Sequence, residues 1–166
     1  MRASSALVLS GLAAISRSRV AVRAGRELAE MLSCDVYVAG VSEAVQAVGD
    51  REVTCAPRFD FAELLPRARV FVHHGGQNSV MDALTYEVPQ VIVPGRVFER
   101  QFNGEAVENA RCGLSVRASK PALIARAACA LIDEPALTSG IRGVRAELRS
   151  LGGGARIVRE VEELVG

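Results

Sequence analysis

The chain has 166 residues, of which 49% are hydrophobic, and a formal net charge of +1. This length suffices for one domain with a sizeable core, and we expect a single domain over residues 1–166. The balanced charge gives no electrostatic reason to expect nucleic acid as a partner, and no apolar run is long enough to span a membrane. The abundance of Arg, Ala, Val and Gly is typical of high-GC bacterial genomes, so we expect a bacterial protein. Because no apolar run resembles a signal peptide and the cysteine spacing indicates reduced thiols, we also expect a cytoplasmic protein.

The cysteines are scattered along the chain, without C-x-x-C spacing and without a neighbouring histidine cluster. This arrangement favours buried, reduced thiols over a disulfide framework or a metal site. The residues concerned are Cys34, Cys55, Cys112 and Cys129.

Apolar runs and amphipathic stretches alternate over the first two thirds of the chain. Strands are predicted at 6–10, 35–40, 51–55, 70–72, 90–93 and 113–116. Helices are predicted at 20–32, at 42–45 with Ser42 as its cap, at 62–65 with Asp60 as its cap, from 80 onwards, and at 101–110, 119–132, 137–151 and 155–165. The alternation predicts an α/β fold: a Rossmann-like, doubly wound parallel sheet of about six strands, with helices on both faces and a helical C-terminal segment.

The stretch from His73 to Leu84 combines a strand end, a glycine-rich turn and a helix start. Free backbone N–H groups at the positive end of a helix form a site for phosphate. Asp82 lies one turn after Ser79 and can face the same ligand, so that His74 donates to a phosphate oxygen and Asp82 accepts from ribose hydroxyls. By periodicity alone an ordinary strand–turn–helix crossover fits equally well, and His73 is interpreted as structural.

Three spaced elements carry a family resemblance. They are H-G-G-x-N-S-x-x-D-A-L from His74, V-P at 88–89, and P-x-x-x-x-E-R-x-x-N from Pro94 to Asn103. Together they resemble the donor signature of nucleotide-sugar glycosyltransferases. They are most similar to the C-terminal half of the two-domain GT-B enzymes that use UDP- or dTDP-sugars, the natural-product, macrolide-type and UDP-glucuronosyltransferase-like transferases.

The resemblance implies a role for each matching residue. The donor diphosphate would be held by His74, Gly75, Gly76, Gln77, Asn78 and Ser79, the ribose by Asp82, and the donor sugar by Glu99 and Arg100. The base would lie against Arg58 or Phe59, although these two residues fit a surface charge and a core ring equally well. Because ligands of open α/β sheets bind beyond the carboxyl ends of the strands, Ser10, Gly11 and Asn103 are also expected to line the cleft.

Three residues depart from the family pattern. Arg100 replaces a glutamine, which exchanges a donor–acceptor amide for an obligate cation and favours an anionic group, a different sugar or a weakened sugar site. Gly104 replaces an alanine, a mild change. Glu87 replaces the glycine after the helix, where a left-handed residue is expected, at a cost on the order of 1 kcal/mol.

The resemblance implies the donor half of a glycosyltransferase acting on a small-molecule acceptor, and a half that is inactive alone. No catalytic residue is expected in this chain, because the general base and the acceptor pocket belong to an N-terminal domain or subunit of such enzymes. No metal and no cofactor besides the nucleotide-sugar substrate are expected, and homodimers are expected in isolation. Alternatives are a non-catalytic auxiliary or scaffold subunit and, less favoured, a sugar-nucleotide epimerase.

Overall fold

A computed structural model describes residues 6–10, 18–117, 120–132 and 134–165, and within these residues seven strands form one sheet. The strands are β1 (Ala6–Ser10), β2 (Asp35–Ala39), β3 (Ala44–Val48), β4 (Arg51–Ala56), β5 (Ala68–His73), β6 (Gln90–Ile92) and β7 (Gly113–Ser115). The helices are α1 (Ser18–Leu32), α2 (Phe61–Leu64), α3 (Gln77–Thr85), α4 (Phe98–Asn109), α5 (Pro121–Leu131), α6 (Pro135–Ser150) and α7 (Gly153–Val165).

The sheet has the strand order β3-β4-β2-β1-β5-β6-β7, and every neighbouring pair except β3–β4 is parallel. The chain builds outward from β1 to β4, then returns to place β5 on the other side of β1. This reversal is the topological switch point of a doubly wound sheet, where ligands bind beyond the carboxyl ends of the strands. The predicted fold class is confirmed, with seven described strands rather than about six.

The helices cover both faces of the sheet, and the strands between them are buried on both sides. Val70 and Val72 of β5 belong to the core cluster shared with α1 and α5. Phe71, between them, belongs to the cluster shared with α2 and α3 on the opposite face. Because alternate side chains of a strand point to opposite faces, this apolar run is what a two-sided parallel sheet requires.

The short helix predicted at 42–45 is wrong. Residues Ala44–Val48 form the edge strand β3, which pairs antiparallel with β4 through the register Val45↔Thr54. The two strands are joined at Gly49, whose φ is 64°. A glycine with positive φ suits a tight hairpin turn, and the backbone hydrogen bonds of the hairpin outweigh the weak local preference for helix.

The helix predicted at 101–110 begins earlier, at Phe98, because Val97 has extended backbone (φ −90°, ψ 120°) and acts as its N-cap. Glu99 and Arg100 therefore lie in the first turn of α4 rather than in a loop. The cap predicted at Asp60 is present, since its Oδ1 accepts from the Ala62 N–H at 2.8 Å.

The four cysteines are free thiols, as predicted. Cys34, Cys55 and Cys112 are buried, and Cys129 is partly exposed. Burial raises the pKa of the Cys34 thiol to about 11, so this group stays protonated and unreactive near neutral pH.

Candidate functional site

The candidate site begins where β5 ends, at the switch point of the sheet. Ser10, the last residue of β1, lies in register with His73, the last residue of β5. Gly11, predicted to line the same cleft, lies outside the described residues. The neighbouring ends of β1 and β5 thus place the His74 turn at the position where doubly wound sheets bind ligands.

His73 is fully buried and forms two hydrogen bonds. Its Nδ1 accepts from the Gly75 N–H at 3.1 Å, so Nε2 carries the proton and donates to Oε1 of Gln90 at 3.0 Å. Burial lowers the pKa of His73 to about 3, against an opposing effect of the Gln90 hydrogen bond. A neutral, enclosed imidazole that fixes the following turn agrees with the structural interpretation of His73.

Two glycines give the turn its shape. Gly75 has φ 87°, and a Cβ there would lie 2.7 Å from Cγ2 of Ile92 and 3.1 Å from the Arg100 carbonyl oxygen. A Cβ on Gly76 would lie 2.6 Å from Nε2 of His74. The first glycine is required by conformation and by space. The second lets the His74 ring fold back against the start of α3.

Helix α3 begins at Gln77, and its N-cap, Gly76, offers no side-chain hydrogen bond. The N–H groups of the first turn have no partner inside the helix and lie at its positive end. Gln77 and Asn78 are exposed there, and Ser79 is half-buried. These are the groups available to an anionic ligand.

Both polar backbone groups of Gly75 form hydrogen bonds within the protein. Its N–H is bonded to His73, and its carbonyl accepts from Nδ2 of Asn103 at 2.9 Å. Among the predicted diphosphate residues, Gly75 therefore contributes shape rather than a free donor. Asn103, predicted to line the cleft, holds the turn instead.

His74 is half-buried at the mouth of the site. Its Nδ1 is buried and has no hydrogen-bond partner among the described residues. Burial lowers the pKa of His74, the positive charge of Arg100 lowers it further, and Glu99 opposes this effect. The imidazole is therefore neutral near neutral pH, with one nitrogen able to donate to a ligand.

Asp82 lies in the second turn of α3 and is half-buried. Burial raises the pKa of its carboxyl group. Its neighbours Val80, Ala83 and Leu84 are buried, as the predicted core face requires. Asp82 is thus on a rigid helix, one turn from Ser79.

The first turn of α4 lies directly against the glycine turn. A Cβ on Gly75 would meet both the carbonyl oxygen and the Cβ of Arg100. Arg100 is half-buried and Glu99 is exposed. The structure thus brings the separated sequence elements around His74 and Arg100 together.

Arg58 and Phe59 follow the carboxyl end of β4. Phe59 packs edge-on against Tyr37, with ring centroids 5.6 Å apart, and belongs to a core cluster. Arg58 is exposed. Phe59 therefore fits the alternative of a core ring better than that of a base contact. Of the two residues predicted to contact the base, Arg58 is the more accessible.

Sequence reasoning missed the supporting roles of Gln90 and Asn103. Gln90 is fully buried at the start of β6, where it bonds His73. The sequence did indicate such a role, because Gln90 is a polar residue at the start of the apolar run 90–93 and buried polar groups need a hydrogen-bond partner. The partner itself lies 17 residues away and is not indicated by local pattern.

Glu87 adopts the left-handed conformation predicted for its position, with φ 58°. The N–H of Val88 bonds the Ala83 carbonyl at 2.9 Å and the N–H of Glu87 bonds that of Leu84 at 3.3 Å, the Schellman pattern. The Glu87 carboxylate also forms ion pairs with Arg142 and Arg145 of α6. Glu87 thus keeps a backbone conformation that suits glycine, and it adds ion pairs that a glycine at this position would lack.

Gly104, the other small departure, lies under β7. A Cβ there would approach Oγ of Ser115 to 2.7 Å. The change from alanine to glycine is therefore coupled to close packing against Ser115 and is less mild than the sequence alone indicates.

The described residues contain no group of three or more His, Cys, Asp or Glu placed to hold a metal ion. None of the described helices is both long enough and apolar enough to cross a membrane. A cavity of about 610 Å³ lies between α1 and the β3–β4 hairpin, and its lining, which includes Arg19, Val41 and Cys55, contains none of the predicted site residues.

Residues 34–164 match the profile of the family described as "Erythromycin biosynthesis protein CIII-like, C-terminal domain". The chain belongs to this family. The match covers most of the chain and confirms the resemblance to C-terminal domains of GT-B glycosyltransferases.

Curated relatives of this CIII-like domain are named as glycosyltransferases. Elloramycin glycosyltransferase from Streptomyces olivaceus is 32% identical over 105 residues, which are 63% of this chain and 26% of that protein. An NDP-glycosyltransferase from Bacillus subtilis is 26% identical over 102 residues, 60% of this chain and 26% of that protein. The match thus takes up about a quarter of the length of these relatives.

A solved structure shares the fold over nearly the whole CIII-like domain. A Streptomyces sp. SF2575 glycosyltransferase in complex with thymidine diphosphate superposes with a TM-score of 0.74 at 27% identity. The superposition covers 98% of this chain and 42% of that one. The domain therefore corresponds to less than half of this neighbour.

Proposed function

We propose that this chain binds the nucleotide-sugar donor, a UDP- or dTDP-sugar, of a glycosyltransferase that transfers the sugar to a small-molecule acceptor. The observation that supports this most strongly is the His74 turn at the switch point of the sheet. It combines an uncapped N-terminus of α3, a neutral histidine and a fixed glycine turn in one place. The thymidine diphosphate bound by a structural neighbour indicates the class of ligand.

The geometry suggests how the donor would be held and activated. The first-turn N–H groups of α3, with the side chains of Asn78 and Ser79, would bind the diphosphate, and His74 would donate to one of its oxygens. Asp82 would accept from ribose hydroxyls. As the bond between sugar and diphosphate breaks, negative charge grows on the leaving diphosphate. The helix end and His74 would stabilise that charge without a metal ion.

Transfer also requires groups that we assign to another part of the protein or to a partner. A general base must take the proton from the acceptor hydroxyl as its oxygen attacks the anomeric carbon. We assign this base and the acceptor pocket to an N-terminal domain or subunit.

An exposed apolar surface lies at the start of α4, beside the predicted sugar residues. It is formed by Val97, Phe98 and Phe102, whose exposed fractions are 43%, 81% and 62%. Homodimerisation in isolation stays a prediction, which a sedimentation series over protein concentration can check.

Departures from the family pattern at Glu87 and Arg100 are what would favour the alternative of a non-catalytic auxiliary subunit. Glu87 does not support it, because that residue adopts the left-handed backbone expected at its position and forms ion pairs with α6. Arg100 remains as its motivation.

The deciding experiment is a calorimetric titration of the chain with UDP and with dTDP. We expect saturable binding that is weakened about tenfold by Ser79→Ala and by His74→Ala, the loss expected for one hydrogen bond to a charged group. Ser139→Ala, an exposed serine on α6, is the matched control and should leave affinity unchanged. Folded protein that binds neither nucleotide at millimolar concentration would refute the proposal and favour the auxiliary subunit.

A further inference from the structure

Strand β3 lies at one edge of the sheet, and its outer side is open. Within the described residues β3 pairs with β4 alone, so one row of its backbone groups has no partner strand. The segment Ala44–Val48 contains no charged residue and no proline, and the side chain of Val45 is 63% exposed. Natural edge strands are usually shielded from pairing by charges, by proline or by short length. The strand at the opposite edge, β7, has three residues, so β3 is the longer and more accessible of the two edges.

The backbone groups on the open side of β3 can be identified from the neighbouring strands. The N–H of Glu52 on β4 bonds a carboxylate oxygen of the first residue of β2 at 3.2 Å, so the backbone of Glu52 points towards β2. Because successive residues of a strand point to opposite neighbours, the next residue, Val53, points towards β3, where its partner is Gln46. Gln46 therefore bonds β4. The N–H and C=O groups of Val45 and Ala47, on either side of it, point to the open side.

This open edge is complementary to itself. When two β3 strands run antiparallel about a two-fold axis at Gln46, Val45 of one copy lies opposite Ala47 of the other. Each of these two pairs then exchanges two backbone hydrogen bonds, and the exposed Val45 side chains pack beside Ala47 on one face of the sheet. Because both copies use the same surface, the pairing closes as a dimer and leaves no β3 edge for a third copy.

The charges of α1 suit the same symmetry. This helix runs beside β3, since Arg19 lines a cavity with the first residue of β3, and Glu30 lines a second cavity with its last residue. Arg23 pairs with Glu27 within the helix at 3.2 Å, which leaves Arg19 and Arg26 towards its start and Glu30 near its end. The two-fold axis is perpendicular to the sheet, so the two α1 helices lie on the same face and run antiparallel. The cationic part of one helix then lies across from the acidic end of the other, which favours a second copy of this chain as the partner.

We propose that β3 is a homodimer interface, through which two copies of this chain join their sheets into one continuous sheet with a two-fold axis at Gln46. The inference goes beyond the proposed function and does not rest on it, because β3 lies three strand positions from β1, where the candidate site begins. It also leaves the apolar surface at the start of α4 free for the N-terminal domain or subunit.

The first test is sedimentation of the chain over a series of protein concentrations. Val45→Lys brings two ammonium groups to diagonal positions about 8 Å apart across the axis. Val45→Pro removes an N–H that points to the open side, a change that edge strands tolerate. We expect each variant to raise the dissociation constant of the dimer at least about tenfold, while its circular dichroism stays that of the wild type. Val158→Lys is the matched control, because this valine of α7 is similarly exposed, at 55%, and should leave the dissociation constant unchanged.

A cysteine on the axis tests the register. The two Gln46 residues form a pair without mutual backbone hydrogen bonds, whose Cα atoms lie about 4.5 Å apart, within the range that a disulfide bridges. Mild oxidation should convert Gln46→Cys into a covalent dimer, while the wild type and Glu43→Cys, whose two copies lie about 20 Å apart, should stay uncoupled on a non-reducing gel. A wild type that sediments as a monomer at millimolar concentration would overturn the inference. So would a Gln46→Cys variant that couples no faster than Glu43→Cys, or a dimer that survives Val45→Lys and is dissociated by Phe98→Lys, because the interface would then lie at the start of α4.

Discussion

Asn103 of α4 donates from Nδ2 to the carbonyl oxygen of Gly75, 28 residues earlier in the chain, at 2.9 Å. The Gly75 N–H is bonded at the same time to Nδ1 of His73. The turn that carries His74 is therefore held from β5, the strand before it, and from α4, a helix much later in the chain. This explains why the two separated parts of the donor signature act as one structural unit.

Replacing Asn103 should loosen this unit. We expect Asn103→Ala to destabilise the protein by about 1–3 kcal/mol, because the Gly75 carbonyl loses its partner in a partly buried place, and to weaken UDP binding. Asn103→Asp should be worse near neutral pH, since a carboxylate would then face a carbonyl oxygen. Chemical denaturation and titration with UDP measure both effects. Asn109→Ala, at the exposed end of the same helix, should change stability by less than about 0.5 kcal/mol.

Adding a methyl group to Gly75 should be strongly unfavourable. Gly75→Ala forces a side chain into left-handed backbone and places its Cβ 2.7 Å from Ile92, so we expect a loss of about 2 kcal/mol or more. Gly143→Ala is the matched control, because that glycine lies in α6 and a Cβ there meets nothing within 4 Å. It should stabilise the protein by about 0.5–1 kcal/mol in thermal or chemical denaturation. A Gly75→Ala protein as stable as the wild type would contradict the described turn.

His73 should make the fold sensitive to acid. Its pKa is about 3 in the folded protein and 6.5 ordinarily, so between these values the unfolded chain binds a proton that the folded chain does not. Stability contributed by neutral His73 is thus present above 6.5 and is lost as the pH falls, by up to about 1.4 kcal/mol per pH unit.

The corresponding measurement is the free energy of unfolding against pH for the wild type and for His73→Asn. The variant should be less stable near neutral pH but lose less stability on acidification. The chain has two histidines, so His74→Asn serves as the comparison. His74→Asn should reduce the pH dependence of the free energy of unfolding less than His73→Asn does, because His74 is only half-buried. Parallel curves for the wild type and His73→Asn would rule out this account of acid sensitivity.

The parts of the fold and site that follow from short sequence patterns were predictable. The apolar run at 70–72, the two glycines after it and the spacing of Val80, Ala83 and Leu84 place the His74 turn and the core face of α3 within a dozen residues. The left-handed conformation at Glu87 was expected from the resemblance, because the family pattern has a glycine at this position just after the helix. In each case the determining residues are neighbours in sequence.

The parts of the fold and site that depend on partners far away in the sequence were not predictable. The start of strand β3 was predicted to be helical because its residues have only a weak local preference, and its pairing with β4 decides its structure. The Gly49-Asp50 pair between two short runs was a hairpin signal that would have corrected it. Bonds such as His73–Gln90 and Gly75–Asn103 join residues that only the folded sheet brings together.

Glu87 offers a last prediction that separates its backbone from its charge. Glu87→Gln keeps a side chain in left-handed backbone but removes the ion pairs to Arg142 and Arg145, so it should be less stable than the wild type near neutral pH. Glu87→Gly should lie between the two, since it relieves the backbone while losing the same ion pairs. A double-mutant cycle with Arg145→Gln isolates the contribution of that pair.

The stabilisation by these ion pairs should depend on pH. The hydrogen bond from Arg142 and, to a smaller extent, the interactions with Arg145 lower the pKa of Glu87. The stabilisation is present above the ordinary glutamate range and is lost as the pH falls through the lowered pKa, so the wild type and Glu87→Gln should converge in acid. High salt should also narrow their difference, because these groups are partly exposed. If Glu87→Gln matches the wild type at neutral pH and low salt, the ion pairs to α6 contribute nothing, and only the turn geometry holds the end of α3.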